Sequence, residues 1–261
     1  MFPFLKPPQL LDEITVEWMF DSFAWALRNF DARIFRDETI LVTPCNEHFP
    51  GRESSAEGMA RLVFDRVGFF AGMQHWPCRL VDENVAESLS PPALPVEGLV
   101  RATEGAMPVP VGAVQPLPVI YHTDQLRDPE VMIAHFAHTL AHYLGTTAGE
   151  PPPGGEENWP HVTELLAVFM GFGVAMADSA NTAKIRSCGS CSGPAVEREN
   201  YLSQFDVTYA LAIFCCLKDI PVRDAVAHLK SSLRPFFKKA MKDVMRRESQ
   251  LQRLQEMAAA V

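Results

Sequence analysis

The sequence has few of the features that mark exported and membrane-spanning chains. Residues 1–8 have neither a basic start nor a sustained apolar segment, so they do not resemble a signal peptide. The longest apolar run, residues 165–177, has thirteen residues, whereas a helix needs about 20 to span a bilayer. We therefore expect a cytoplasmic protein without a membrane span, in which this run forms a buried helix.

Cysteine is scarce, and its pattern does not indicate a disulfide framework. Without an export signal, the six cysteines are expected to remain thiols. Cys188 and Cys191 have the CxxC spacing of a zinc knuckle or a redox pair. A structural zinc ion needs two further ligands, and the adjacent Cys215 and Cys216 point in different directions on a helix. We interpret the CxxC segment as a loop with two thiols.

Positive charge is in deficit, which argues against a general nucleic-acid-binding protein. The formal net charge is −9. The deficit is uneven, because residues 221–261 carry a local balance of +5 and the other 220 residues stand at −14. We expect this amphipathic tail to pack its apolar stripe on the body, with its charges against the acidic surface. Contact with nucleic acid or with an anionic membrane is the alternative.

The composition favours a helix-rich α+β protein with a large core, since 48% of the residues are apolar. Residues 91–118 hold seven prolines, too many for a central strand or a helix. This segment is the candidate seam between two lobes. We expect a smaller mixed α/β lobe over residues 1–118 and a helical lobe, ending in a basic helix, over residues 119–261.

Periodicity and end signals predict the individual elements. Asp128 is the expected N-cap of a helix with Pro129 in its first position, and Ser54 with Glu57 suggests a capping box for an earlier helix. Strands are predicted over residues 38–43, 78–81 and 119–121, and helices over residues 11–30, 128–145, 160 onward and 201–217, with one or two more over residues 221–260.

The strongest chemical signal is the segment HTLAH, in which His138 and His142 lie four residues apart. On a helix this spacing places both imidazoles on one face, where they can bind a single ion. The pattern is similar to the HExxH motif of zinc peptidases, but Thr139 occupies the position of the glutamate. That glutamate is the general base in hydrolysis. The sequence therefore predicts metal ligands without the proton acceptor.

A zinc site with an open position needs a third side-chain ligand. Glu164, 22 residues after His142 and in the opening turn of the next helix, is the candidate. His135 and His161 are candidates for positions flanking the site. His135 is expected to support a ligand or to lie at the surface, and His161 either flanks the site or faces solvent in the first turn of its helix. An independent buried or capping role is expected for Asp178. The alternative is a metal-free cluster in which neutral histidines hydrogen-bond to a glutamate. This arrangement would also give the same polar side chains hydrogen-bond partners, and the sequence does not decide between the two.

The order of these segments carries a family resemblance. The segments occur in this order: a strand, the Asp-Pro helix start, AHTLAHYLG, an acidic loop, TELLAVFMGFGVAMADSA and a Tyr-Leu helix. This order resembles a group of uncharacterised bacterial proteins with an intact HExxH motif of the gluzincin type. Together with LVTPCNEHFPGR upstream, the resemblance covers residues 38–217. It implies a zincin-like helical half with zinc bound by His138, His142 and Glu164, and it marks Thr139 as a departure from the family.

We therefore expect a zincin-like metal-binding protein that is a catalytically impaired pseudo-metallopeptidase with a binding or regulatory role. Its partner is expected to be a protein or a peptide. General acid–base catalysis contributes on the order of 10² to 10⁴ in rate, so Thr139 leaves at best a feeble peptidase. Two alternatives stay open. One is an active metal-dependent hydrolase with a non-standard base, for which Glu156 and Glu157 are the nearby candidates, and the other is a metal-free structural or interaction domain.

Overall fold

The computed structural model describes residues 9–83, 100–102, 116–180 and 201–260, and the backbone of residues 185–186 and 197–198. Cys188, Cys191 and most of the proline-rich seam lie outside the described residues. The described part is a helix-rich α+β fold with a small parallel sheet. The α+β prediction is therefore confirmed at this level.

Three helices form the described N-terminal part. Asp12 caps the first helix by accepting a hydrogen bond from the backbone N–H of Thr15. Ser55 caps the third by accepting the N–H of Gly58. The capping box predicted from Ser54 and Glu57 is therefore wrong, since Gly58 has no side chain to complete a box. Their bounds are α1 Glu13–Asn29, α2 Ala32–Asp37 and α3 Ala56–Ala71.

The parallel sheet consists of β1 (Cys78–Asp82) and β2 (Leu117–Tyr121), which confirms the strands predicted at residues 78–81 and 119–121. Cys78 lies opposite Leu117 and Asp82 opposite Tyr121, so both strands end at the same edge. A two-residue antiparallel pair, β3 (Ile185–Arg186) and β4 (Glu197–Arg198), lies elsewhere in the chain.

The strand predicted over residues 38–43 is wrong. These residues form an irregular segment that packs on a helix instead of pairing with a sheet, and the N–H of Val42 donates to the carbonyl oxygen of Gly171 at 2.9 Å. Alternating apolar residues fit this segment because one side of it is buried, which period-two patterning cannot distinguish from a strand.

The second half of the chain is helical. Asp128 caps the histidine-bearing helix and Pro129 opens it, as predicted. The basic tail forms three helices, where one or two were expected. The bounds are α4 Pro129–Gly145, α5 Trp159–Ala167, α6 Gly173–Ser179, α7 Gln204–Leu217, α8 Val222–His228, α9 Arg234–Arg246 and α10 Glu248–Ala259.

The core is one cluster of buried apolar side chains that draws on both predicted lobes. It includes Phe20 and Phe23 of α1, Val67 of α3, Leu140 of α4 and Phe169. Within this core the ring of Phe35 stacks on the ring of Phe169, with a centroid separation of 4.5 Å. The division at residue 118 stays a prediction, since most of the proposed seam lies outside the described residues.

Arg101 enters this core as a buried cation, which sequence patterning did not anticipate. Its Nε donates to the carbonyl oxygen of Ala71 and its Nη2 to the hydroxyl of Thr39. The guanidinium lies 5.8 Å from the centroid of the Phe169 ring. Burial lowers its pKa to about 10, so it stays charged at neutral pH. Arg101 thereby ties the short segment 100–102 to α3 and to the segment that follows α2.

The apolar run at residues 165–177 is buried, as expected. It belongs to a helical stretch, Glu156–Ser179, which is long and apolar enough to cross a membrane, and the apolar 18-residue window of this stretch is wholly buried within the fold. A π-helical turn at Val168–Phe172 joins α5 to α6. Gly171 in this turn has a φ of +102°, which bends the stretch.

We predict that Gly171→Ala lowers the free energy of unfolding by about 3 kcal/mol or more, because it adds a steric clash to a strained φ. A Cβ atom at residue 171 would lie 2.2 Å from the carbonyl oxygen of Ile40. Gly155→Ala is the control, since Gly155 has a φ of +81° and nothing within 4 Å of an added Cβ. Urea denaturation should show a smaller loss for the control, about 1 to 2 kcal/mol. Equal losses would mean that the contact with Ile40 is unimportant.

Candidate functional site

The histidine-bearing helix α4 is buried from Met132 to Gly145. Its polar side chains therefore need partners inside the protein. At its C-terminal end the hydroxyls of Thr146 and Thr147 donate to the carbonyl oxygens of Tyr143 and Leu144, each at 2.7 Å. These bonds satisfy carbonyl groups that a helix end leaves without helical partners. The helix is thus a rigid element of the core.

His135, His138 and His142 form one stripe along α4, within about 60° of each other around the helix axis. All three are buried, with relative exposures of 2%, 6% and 9%. The expectation that the HTLAH histidines share a face is confirmed. The alternative surface position for His135 is wrong, because only 2% of this residue is exposed.

Glu164 of α5 is almost completely buried, with 1% of its surface exposed. One carboxylate oxygen accepts the N–H of Tyr201 at 3.1 Å, and the other accepts the N–H of Leu202 at 2.9 Å. Burial raises the pKa of the Glu164 carboxyl to about 7, and the two N–H donors oppose that rise. Glu164 therefore ties α5 to the chain that enters α7.

The structure does not assemble His138, His142 and Glu164 into a metal-binding cluster. Among the residues that the structure describes, no group of three or more His, Cys, Asp or Glu side chains is placed to hold a metal ion. Both oxygens of Glu164 are committed to backbone donors. The arrangement thus does not fit a three-ligand zinc site. Zinc binding by this set stays a prediction.

Thr139, at the position of the missing general base, is buried and makes a local bond. Its hydroxyl donates to the carbonyl oxygen of His135 at 3.0 Å, one turn earlier on α4. This bond uses the single proton of the hydroxyl. The hydroxyl donor of Thr139 is therefore satisfied within α4.

His135 takes part in a second polar cluster that sequence reasoning missed. Its Nε2 donates to the carbonyl oxygen of Ile120 at 2.8 Å, and its ring meets the ring of His122 edge to face at 5.2 Å. His122 Nδ1 in turn lies 2.7 Å from a carboxylate oxygen of Glu83. Burial lowers the pKa of His135 to about 3, so this ring is neutral at physiological pH. The cluster ties α4 to the sheet.

A sequence signal for this cluster exists in the strand register. Glu83 and His122 are the residues that directly follow β1 and β2, and the two strands are parallel and in register. Their side chains therefore emerge at the same edge of the sheet. The signal can be used only when the pairing of β1 with β2 is known.

His161 lies beside the Glu164 contact, one turn earlier on α5. Its ring is 5.4 Å from the ring of Tyr201 and 6.4 Å from that of Trp18. The expectation that it flanks the Glu164 region is consistent with this packing. Asp178 is a structural carboxylate, as expected, because it accepts the N–H of Lys230 at 2.9 Å.

An open cleft with a volume of about 610 Å³ lies at the C-terminal end of α4. The loop that forms it is held by α1, whose Trp18 and Trp25 donate their indole N–H groups to the carbonyl oxygens of Pro153 and Glu150. Arg28 adds an ion pair to the carboxylate of Glu150. The lining consists of Gly145, Thr146, Ala148, Gly149, Glu150, Pro151, Pro152, Glu156 and Trp159.

The raised pKa of Glu164 predicts a pH-dependent contribution to stability. The folded protein holds this proton up to about pH 7, whereas the unfolded chain releases it near its ordinary pKa of 4.5. The contribution is therefore complete below pH 4.5 and is lost as the pH rises through 7. Glu164→Gln removes this dependence and leaves one of the two N–H donors without its acceptor.

We expect Glu164→Gln to destabilise the protein by about 1 to 3 kcal/mol, and by more at pH 5 than at pH 8. Urea denaturation across this range measures the difference from wild type. Glu157→Gln, on the exposed loop before α5, is the matched control and should leave both the stability and its pH profile unchanged. A difference that is constant with pH would contradict a buried, proton-holding Glu164.

Comparison of the chain with protein-family models, with curated proteins and with solved structures finds no match.

Proposed function

We propose that the chain is a zincin-like protein that has lost peptidase catalysis and acts by binding. The observation that carries this proposal is the engagement of Glu164 by the N–H groups of Tyr201 and Leu202. A catalytic zinc ion needs three protein ligands and an open position. Glu164 accepts these two donors, and the described residues contain no three-ligand group. The residues that resemble a zinc site therefore serve the packing of α4, α5 and α7.

The position of the general base supports the same proposal. A base must hold an acceptor within hydrogen-bond reach of the attacking water. Thr139 offers a weakly basic hydroxyl that is buried and bonded to the carbonyl oxygen of His135. Glu156, the nearby carboxylate that could replace it, lines a cleft whose walls do not include His138 or His142. An active hydrolase with a substitute base is therefore the less favoured alternative.

The binding role is assigned to the cleft at the end of α4. Its volume falls within the range of small-molecule sites. The contacts of Trp18, Trp25 and Arg28 with its loop hold the cleft in shape before a ligand binds. The C-terminal end of a helix carries partial negative charge, and the Glu156 carboxylate adds a full one. Trp159 supplies an aromatic wall. These groups suit an organic cation, including the side chain of a basic peptide.

We predict that the purified protein hydrolyses no peptide and retains substoichiometric zinc after dialysis. Thr139→Glu supplies the missing base, yet it is expected to restore no activity, because the described residues contain no group of three ligands for a zinc ion. Elemental analysis and a fluorogenic peptide library measure the two properties. Stoichiometric zinc that is lost in a folded His138→Ala variant would contradict this prediction, and activity in Thr139→Glu would do so independently.

We also predict that tetramethylammonium and an Nα-acetyl-lysine amide shift the amide resonances of residues 145–159 in an NMR titration. Glu156→Gln should weaken this binding about five-fold, the effect of losing one exposed charge interaction of about 1 kcal/mol. Glu157→Gln removes the neighbouring charge, which does not line the cleft, and should leave the affinity unchanged. Equal weakening by the two substitutions would indicate a diffuse electrostatic effect instead of a site.

A further inference from the structure

Helix α9 presents a cationic face to solvent. Lys238, Lys239, Lys242 and Arg246 are exposed, and their spacing places them within about 100° of one another around the helix axis. The opposite face is buried in the core. It consists of Phe237, Ala240, Met241 and Val244. The apolar side of this amphipathic helix is thus already occupied, and its charged side is open.

The four cations have no ion-pair partner among the described residues, although the chain as a whole is acidic. Asp243, the acidic residue of α9, accepts from the Tyr209 hydroxyl at 2.6 Å and from Arg247 at 3.1 Å. Its charge is directed away from the cationic face. The charge of α9 is therefore not neutralised locally.

Other charges of the tail do meet the acidic body, as the sequence predicted. Arg247 pairs with Glu13 of α1 at 2.8 Å, and Arg253 of α10 pairs with Asp21 at 2.7 Å. These pairs attach the tail to α1. The expectation is thus confirmed for Arg247 and Arg253 and is wrong for the four cations of α9.

Exposed apolar side chains border the cationic face on both sides. Phe205 and Met245, each 49% exposed, are two of the four large hydrophobic residues with high exposure in the described part of the chain. The ring of Phe205 lies 4.8 Å from that of Phe236, which is one turn before Lys239 on α9. Met245 lies one turn after Lys242 on the other side. The four cations, together with Phe205 and Met245, are called the band.

We propose that this band binds the surface of a membrane rich in anionic lipid, with the cations on the headgroups and Phe205 and Met245 at the boundary with the acyl chains. Anionic headgroups attract each nearby Lys or Arg, and the interface also accommodates partly buried apolar groups. A nucleic acid would bind the cations through its phosphates. Its phosphates would make no favourable contact with the apolar side chains that border the cations. This inference is independent of the cleft and of the α4 histidines.

Sedimentation of the full chain with vesicles tests the proposal. Wild type should bind vesicles of phosphatidylcholine mixed with phosphatidylserine, should not bind pure phosphatidylcholine, and should be released by high salt. Each cation contributes about five-fold to the partition coefficient, so the double variant Lys238→Glu/Lys242→Glu should lose at least about 25-fold. Phe205→Ser should weaken binding and leave the salt dependence unchanged.

The matched control is Arg52→Glu/Arg61→Glu, which makes the same change of net charge at two exposed positions outside the band. It should keep most of the binding, and thermal unfolding should show that all variants are folded. Absence of a preference for anionic vesicles in wild type would overturn the proposal. Equal losses in the two double variants would also overturn it. Binding of an oligonucleotide without binding of vesicles would assign the face to nucleic acid instead.

Discussion

The helical half of the protein depends on a buried carboxylate that accepts backbone donors from a distant part of the chain. Glu164 binds the N–H groups of Tyr201 and Leu202, 37 and 38 residues later. Asp178, on the same helical stretch, accepts the N–H of Lys230 in the same manner. Because a buried carboxylate without donors is costly, these two residues require α7 and the tail to return to one stretch. The stretch is the scaffold on which the later helices are placed.

The same demand for partners explains how α4 is positioned. A helix buried on all sides must satisfy every polar side chain internally. His135 donates to the carbonyl oxygen of Ile120, and the hydroxyl of Tyr143 donates to that of Pro118 at 2.6 Å, so both bonds end on β2. Thr139 bonds within the helix. His135 and Tyr143, which lie on either side of the HTLAH segment, thereby attach a core helix to a small sheet.

Exposed charges form two regions of opposite sign at the surface. The cleft at the end of α4 carries the carboxylate of Glu156, and α9 carries four cations without local partners. The ion pairs of Arg247 and Arg253 with α1 keep the basic tail against the acidic body. The orientation of α9 is therefore set by contacts that do not use its exposed charges. The exposed charges remain available for binding.

Local sequence determined the ends and faces of the helices. Asp128 with Pro129, and the buried stripe of histidines on α4, follow from residues within one or two turns. Tertiary structure decided what the polar groups do. The role of Glu164 depends on donors 37 residues away, the Glu83 and His122 pair depends on the register of two strands, and residues 38–43 became a packed segment because Gly171 accepts a hydrogen bond from Val42. The same side-chain types can hold a metal or satisfy a backbone N–H, and only their neighbours in space distinguish the two.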